Sequence, residues 1–309
     1  MSSRSIQAPR AVIMIRPHRF LSNPETALDN AFQKADACRT VRQTAEDAYR
    51  EVSKAAERLE KEGVRVHIFE DRGEKETPDS VFPNNWFSTH PGGHVAVYPM
   101  YAPSRRRERR YDILEMLKAE YRVQDIIDYS CLEYDNIFLE GTGAMVLDHI
   151  DRVAYTARSN RADAIALERF CTHFNFEPMA FDAVDSHGHQ VYHTNVIMCI
   201  GTDFALAGFD MMTDKSRRTE IYDRLQGMGR EVIQLTNQQI DEFAGNAIEL
   251  YANNRRILAM STRAATSLRP EQKKVIEKSA EIVRLEVPTI ELAGGAVRCM
   301  LAGVHLTRR

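Results

Sequence analysis

The sequence predicts a mixed α/β fold of repeated ββαβ units, a five-bladed α/β propeller about a pseudo-fivefold axis. Three observations carry this. First, Glu140, His193, Asn246 and Cys299 recur at intervals of 53 residues, each at the head of an apolar stretch of strand length, and a further copy, Val81-Phe82-Pro83-Asn84-Asn85 before Trp86-Phe87-Ser88, lies 55 residues earlier. Second, each anchor is preceded by the same rhythm of helix and strand, and all but the last are followed by a hairpin partner. Third, a chain of 309 residues holds five units of roughly 55 to 60 residues, each too small to bury its own apolar face, so the copies must share one core.

Taken in order, Ala11-Val12-Ile13-Met14-Ile15 is a short apolar run ended by Arg16-Pro17 and reads as a buried strand. Phe20 to Gln33 is polar and reads as a loop leading into a short helix. Thr40 to Glu62 carries Ala45, Ala48, Tyr49, Val52, Ala55, Ala56 and Leu59 at helical spacing, with Gly63 as a stop. Val64 to Phe69 alternates like a half-buried strand. The rhythm repeats with helices near 104–121, 161–174, 215–227 and 270–281, and strands at 121–127, 176–181, 231–235 and 282–285. Hairpin strands follow at 152–155, 204–207 and 256–260. The Cys299 stretch, read as a strand, lacks a hairpin partner after it, and the strand 11–15 is expected to supply one and close the ring. No linker divides the chain, so residues 1–309 are read as a single domain.

A net charge of −3 leaves no electrostatic footprint for nucleic acid or an anionic membrane. The run Arg105-Arg106-Arg107-Glu108-Arg109-Arg110 opens a helical pattern and reads as a solvated face. No stretch approaches the ~20 apolar residues of a membrane span, and Met1-Ser2-Ser3-Arg4-Ser5 lacks a signal core, so a cytoplasmic protein is expected. Five cysteines without Cys-x-x-Cys spacing argue against a disulfide framework or structural zinc. Cys38, Cys131, Cys171 and Cys199 read as small buried hydrophobes.

If the anchors converge on the axis, Cys299 and His193 make a thiolate–imidazole nucleophile, with the imidazole setting the thiol's ionisation and shuttling protons. Glu140 would orient an NH-bearing substrate or share in proton transfer. Asn246 follows Gly245 in a good turn pair and reads as structural; Asn84 and Asn85 serve either a turn or a substrate.

These residues carry a resemblance. Phe138-Leu139-Glu140-Gly141, His193-x-Asn195 and Gly294-Gly295-x-x-x-Cys299 resemble the signatures of the pentein, or guanidine-modifying enzyme, superfamily over essentially the whole chain. The resemblance implies Cys299 as nucleophile, His193 as general acid/base and Glu140 as substrate-binding carboxylate, a covalent adduct on the cysteine, and no metal or organic cofactor. A homodimer rests on the resemblance alone. Two departures matter: Pro83-Asn84-Asn85-Trp86 stands where relatives carry an acid, and Glu140-Gly141-Thr142-Gly143 where they read Glu-Gly-Gly-Asp. Losing two carboxylates removes counter-charges for a guanidinium, whereas Asn84 or Asn85 suits a neutral ureido group. The chain most resembles the arginine-deiminase-related, citrulline-utilisation branch, implying conversion of citrulline to ornithine. Arginine deiminase, dimethylarginine hydrolase and amidinotransferase remain alternatives on the same fold. Asn195 and Arg16 are added as substrate contacts, Arg16 for the substrate carboxylate.

Two other classes stay open. His187-x-His189-x-x-x-His193 with Asp182 and Asp185 has the spacing of a zinc hydrolase site, although on one strand His187 and His193 would lie too far apart for one ion unless Gly188 turns the chain. A non-catalytic binding propeller is the other; the joint presence of Cys299, His193 and Glu140 argues against it.

Overall fold

The computed structural model describes residues 5–27, 29–34 and 39–309. Cys38 and residues 1–4 lie outside them. Strands β1 (Ala11–Pro17) and β2 (Arg65–Asp71) flank helix α1 (Val41–Glu62). The hairpin β3 (Phe87–His90) and β4 (His94–Val97) leads through α2 (Tyr111–Glu120) to β5 (Asp125–Asp128). Strands β6 (Met145–Asp148) and β7 (Val153–Ala157) lead through α3 (Ala164–Phe174) to β8 (Glu177–Phe181). Strands β9 (Met198–Ile200) and β10 (Phe204–Ala207) lead through α4 (Lys215–Gly227) to β11 (Glu231–Gln234). Finally β12 (Ile248–Ala252) and β13 (Arg255–Ser261) lead through α5 (Pro270–Glu277) to β14 (Ala280–Leu285), and β15 (Ala302–Val304) follows.

These strands form five three-stranded sheets, ordered β15-β1-β2, β3-β4-β5, β6-β7-β8, β9-β10-β11 and β12-β13-β14. In each, an antiparallel hairpin pair is extended by a parallel strand reached through a helix, the crossover that parallel pairing demands. The ring closes as the sequence predicts: β1 pairs antiparallel with β15, Ala11 opposite Val304 and Ile13 opposite Ala302, and parallel with β2. Strands β3, β6, β9 and β12 are buried throughout, whereas β2 and β5 have no fully buried residue. The first strand of each hairpin therefore lies at the axis and the crossover strands lie outside.

Helix α1 shows why the blades cohere. Thr40 accepts from the Gln43 amide and Gln43 reaches back to the Thr40 backbone, a capping box that satisfies amides the first turn would otherwise leave bare. Its Ala48, Val52, Ala55, Ala56 and Leu59 are buried in one cluster with Val12 and Met14 of β1 and Val283 and Leu285 of β14. One stripe thus bridges two blades, each buried valine or leucine contributing about 1.5–3 kcal/mol.

Several local expectations are corrected. The single helix expected near 104–121 is a turn at Pro103–Arg106 and then α2, because the backbone at Arg110 is extended, φ −126° and ψ 114°. The described part of the 20–34 loop contains turns and no helix. Cys131 is exposed, since it sits in a short 3-10 turn (Ser130–Asp135) outside the sheets, whereas Cys171 and Cys199 are buried as expected. The Cys299 stretch is a helical turn, Val297–Met300, followed by the short β15, rather than one long strand.

Candidate active site

The anchors stand on the turns that feed the axial strands. Asn84 and Asn85 lie in a 3-10 turn (Pro83–Asn85) before β3, Glu140 and His193 each precede a single helical turn (Gly141–Ala144 and Thr194–Ile197) before β6 and β9, and Asn246 lies just before β12. Each turn lifts its side chain off the strand and toward the axis. Glu140, Asn84, Asn195 and Asn246 are fully buried, and Asn85, His193 and Cys299 are 2% exposed.

Glu140 organises the centre. Its Oε2 accepts from His193 Nε2 at 2.8 Å and lies 3.5 Å from guanidinium nitrogens of both Arg105 and Arg161, while Oε1 accepts from the Tyr101 amide at 3.1 Å. Burial alone would push this carboxyl up, but Arg161, the His193 hydrogen bond and Arg105 outweigh it and hold Glu140 well below the usual carboxylate range. His193 is pushed down to about 4, chiefly by burial and against the pull of Glu140.

Cys299 is held from another side. Asn195 Nδ2 and Asn246 Nδ2 both donate to its Sγ at 3.3 Å. Asn246 also donates to the Asn195 carbonyl at 2.9 Å and accepts from the backbone amides of Ala296 at 3.1 Å and Arg298 at 3.0 Å. Asn246 is thus both a structural tie, as expected, and a neighbour of the thiol. Burial pushes the Cys299 thiol up, opposed by the two amides and by Arg298. The resting pair is consequently a neutral thiol and a neutral imidazole, with His193 Nε2 donating to Glu140 and both groups on the wall of one cavity.

The sequence reading missed two arginines. Arg105, assigned to a solvated face, is 2% exposed. Its Nε and Nη2 donate to Glu108 at 2.9 and 3.1 Å, and Nε lies 3.8 Å from Asp79. With the Asn85 amide oxygen turned to this guanidinium, it accepts from both terminal nitrogens at 3.0 Å, and the amide donates to Asn84 Oδ1 at 3.2 Å. Arg161, 2% exposed, pairs with Asp29 and lies over the Tyr192 ring, 4.9 Å from its centroid. Burial pushes both Asp79 and Glu108 up, Glu108 to about 8, despite the opposing pull of Arg105.

Gly143 explains one departure in the Glu-Gly-Thr-Gly motif. A Cβ there would lie 2.8 Å from His193 Nδ1 and 2.1 Å from the Asn85 amide. The missing side chain is the space in which Asn85 and the imidazole meet.

A cavity lined by Asn85, Arg105, Arg161, His193 and Cys299 joins these groups, and Thr26 and Asn30 of the 20–34 loop cover it. Its free space, about 10 Å³ for the centres of water-sized spheres, holds about one water. Asn30 donates to the Ala293 carbonyl at 3.1 Å and the Lys34 amide to the Leu292 carbonyl at 2.9 Å, strapping the loop down. Admitting an amino acid therefore requires this loop to move.

Arg16 is not among the residues lining the cavity. It stands opposite Glu70 in the β1–β2 register, donates to it through Nε at 2.9 Å and to Ser53 at 3.2 Å, and covers Tyr49. Neighbours on β2 and α1 thus hold its half-buried guanidinium. His187 and His189 lie on an exposed turn where His189 meets Asp185 at 3.0 Å, apart from the buried His193, and Asp182 meets Arg158 at 3.2 Å. Among the described residues no three His, Cys, Asp or Glu side chains gather as a metal site, and no helix is long and apolar enough to cross a membrane.

Five sheets closed through the two chain ends, with the polar turns of successive blades meeting at one thiol, define a pentein, the class of guanidine-modifying enzymes that the sequence resembles. The chain belongs to the family described as N,N dimethylarginine dimethylhydrolase, eukaryotic, whose profile matches residues 16–306. Among solved structures, the arginine dihydrolase ArgZ from the ornithine–ammonia cycle in cyanobacteria is 17% identical with a TM-score of 0.71, the match covering 96% of this chain and 40% of that one. Unliganded AgrE is 16% identical with a TM-score of 0.73, over 97% of this chain and 40% of that one. A dimethylarginine dimethylaminohydrolase adduct is 12% identical with a TM-score of 0.64, over 97% and 100% of the two chains. At these identities the likeness is one of fold. The chain spans 40% of the length of the ArgZ and AgrE chains, and about the whole of the N-terminal domain of ArgZ, of which the match covers 97%. No curated protein sequence matches it.

Proposed function

We propose that this chain, acting as a single catalytic domain, hydrolyses the ureido group of citrulline, with Cys299 as nucleophile, His193 as general acid/base and Glu140 as the carboxylate that stabilises the imidazolium. One observation carries the choice of substrate: the carboxylates of the cavity already serve two arginines. Glu140 lies between Arg105 and Arg161, Glu108 and Asp79 face Arg105, and Asp29 faces Arg161. A guanidinium would have to share carboxylates that already face an arginine, whereas a neutral ureido group meets the amide of Asn85 on the cavity wall, with Asn84 and Asn195 behind it and beside Cys299. The Asn84 Nδ2 and Asn195 Oδ1 are buried without a hydrogen-bond partner, and a ureido oxygen and NH group would satisfy them.

In this reading the thiol adds to the ureido carbon as its proton passes to His193, and the imidazolium is held by Glu140. The C–N bond to ammonia breaks with return of that proton. Water then adds to the adduct and expels the thiol, and the resulting carbamate loses carbon dioxide to leave ornithine. The Arg161–Asp29 pair, opened with the loop, offers a cation for the substrate carboxylate and an anion for its ammonium, the role first assigned to Arg16.

The second reading is hydrolysis of arginine, as the name of the ArgZ neighbour states for that protein; Glu140 is the observation that favours it, since it is the ionised carboxylate nearest the reacting groups. A product assay separates them. Incubated separately with citrulline, arginine and dimethylarginine, the protein is expected to form ornithine and ammonia from citrulline. Citrulline formed from arginine or dimethylarginine, with no turnover of citrulline, overturns the proposal.

A further inference from the structure

A second cavity lies behind the nucleophile, among the axial strands. Its wall includes Arg298, the residue before Cys299, together with His149, His305, Thr89 and Glu249. Three features mark it as built for a ligand. Arg298 makes one side-chain hydrogen bond, to the Leu301 carbonyl at 3.0 Å, and among the described residues no carboxylate lies in ion-pair range of it. Glu249, the carboxylate on this wall, turns Oε2 to the Thr202 amide and hydroxyl at 2.9 and 2.6 Å, while its Oε1, without a hydrogen bond, lies 3.9 Å from the Arg256 guanidinium that offsets its charge. His149 is 5% exposed, and its Nδ1 has no hydrogen-bond partner. Its ring packs against His305, tilted by 30° with centroids 4.1 Å apart, and His305 Nδ1 donates to the Ile6 carbonyl at 3.1 Å.

A half-buried guanidinium without a counter-charge is poorly solvated, and an anion beside it offsets that cost. The space fits a small one. About 50 Å³ is open to the centres of water-sized spheres, against the roughly 10–15 Å³ that one water needs. That admits a halide or nitrate with part of its hydration and excludes a phosphorylated metabolite. Arg298 and His305 are half-buried rather than buried, so the cavity communicates with solvent.

We propose that this axial cavity is a binding site for a small monovalent anion, held by Arg298 with Nδ1 of His149, and that its occupancy slows the reactivity of Cys299. The coupling follows from adjacency. The Arg298 charge favours the neighbouring thiolate, and an anion on that guanidinium offsets the stabilisation. The front of the thiol faces His193, Arg105, Arg161, Tyr192 and Asp79 and is untouched by the exchange. The proposal does not depend on which substrate the front of the site accepts.

The test uses bromide. Crystals of the full chain grown in gluconate and soaked in sodium bromide are expected to show an anomalous peak at Arg298, on the Nδ1 side of His149. In solution, alkylation of Cys299 by iodoacetamide, followed by mass spectrometry of its peptide, is expected to be several-fold slower in bromide or chloride than in gluconate at equal ionic strength. Arg298→Met is expected to show the slow rate in every salt. No peak at Arg298, or equal alkylation rates in the three salts for the unaltered protein, overturns the proposal, and neither reading requires the variant to fold.

Discussion

The Nε2 of His193 donates to Oε2 of Glu140 at 2.8 Å, and both groups are nearly or fully removed from solvent. The two residues head neighbouring blades, so the hydrogen bond ties the proton-carrying group to the carboxylate that can stabilise it once charged. Glu140→Gln keeps the shape and removes the charge. We expect kcat to fall about 10²–10⁴-fold, the usual worth of a positioned acid–base group. Steady-state kinetics check this, and a loss below about fivefold would remove Glu140 from the proton transfer.

Gly143→Ala tests the close approach of Asn85 and His193. Its Cβ would sit 2.1 Å from the Asn85 amide and 2.8 Å from the imidazole, and both neighbours are buried and hydrogen-bonded. Relief of such overpacking costs about 1–3 kcal/mol. Thermal denaturation should show that loss together with a collapse of turnover.

Asn246→Ala removes the amide from Sγ of Cys299 and the acceptor from the Ala296 and Arg298 amides. The buried Ala296 amide is left bare, at about 1–3 kcal/mol, while the Arg298 amide keeps only its 3.4 Å bond to the Asn246 carbonyl. We expect lower stability and slower alkylation of Cys299; a stable variant with an unchanged thiol rate would reduce Asn246 to a turn residue.

Acid should destabilise the fold before most carboxylates titrate. Burial pushes His193 and His305 down to about 4 and His90 and His149 well below their ordinary value. Below about pH 6.5 the unfolded chain binds protons at these four positions that the folded chain refuses. Their contribution is thus fully present above about pH 6.5 and is lost as pH falls toward 4, after which Glu140, whose pKa is depressed by folding, adds its own loss. Melting temperatures measured across this range should decline from about pH 6.5 downward; a flat profile to about pH 4.5 would contradict the burial of neutral imidazoles.

Much of this was legible because the repeat places equivalent residues at equivalent turns. The 53-residue interval picked out Glu140, His193, Asn246 and Cys299, and the missing hairpin partner of the last unit pointed to Ala11–Ile15. Arg105 and Arg161 escaped because neither stands at a repeat anchor. Arg105 sits among five other charged residues, where nothing local separates one inward guanidinium from its solvated neighbours, and its burial depends on Glu108, Asp79 and Glu140 meeting it from different segments. Arg16 was misplaced for the converse reason. Its position at a strand end suggested a site, but its partners Glu70 and Ser53 come from elements whose register the sequence does not display.

The most direct measurement of the central claim is mass spectrometry of the Cys299 peptide after acid quench of a reaction with citrulline labelled at the ureido carbon. The account predicts label bound to Cys299 at early times and its release as carbon dioxide with ornithine. Ornithine formed from citrulline with Cys299 unlabelled at every time point, or a labelled Cys299 only with arginine as substrate, would contradict it.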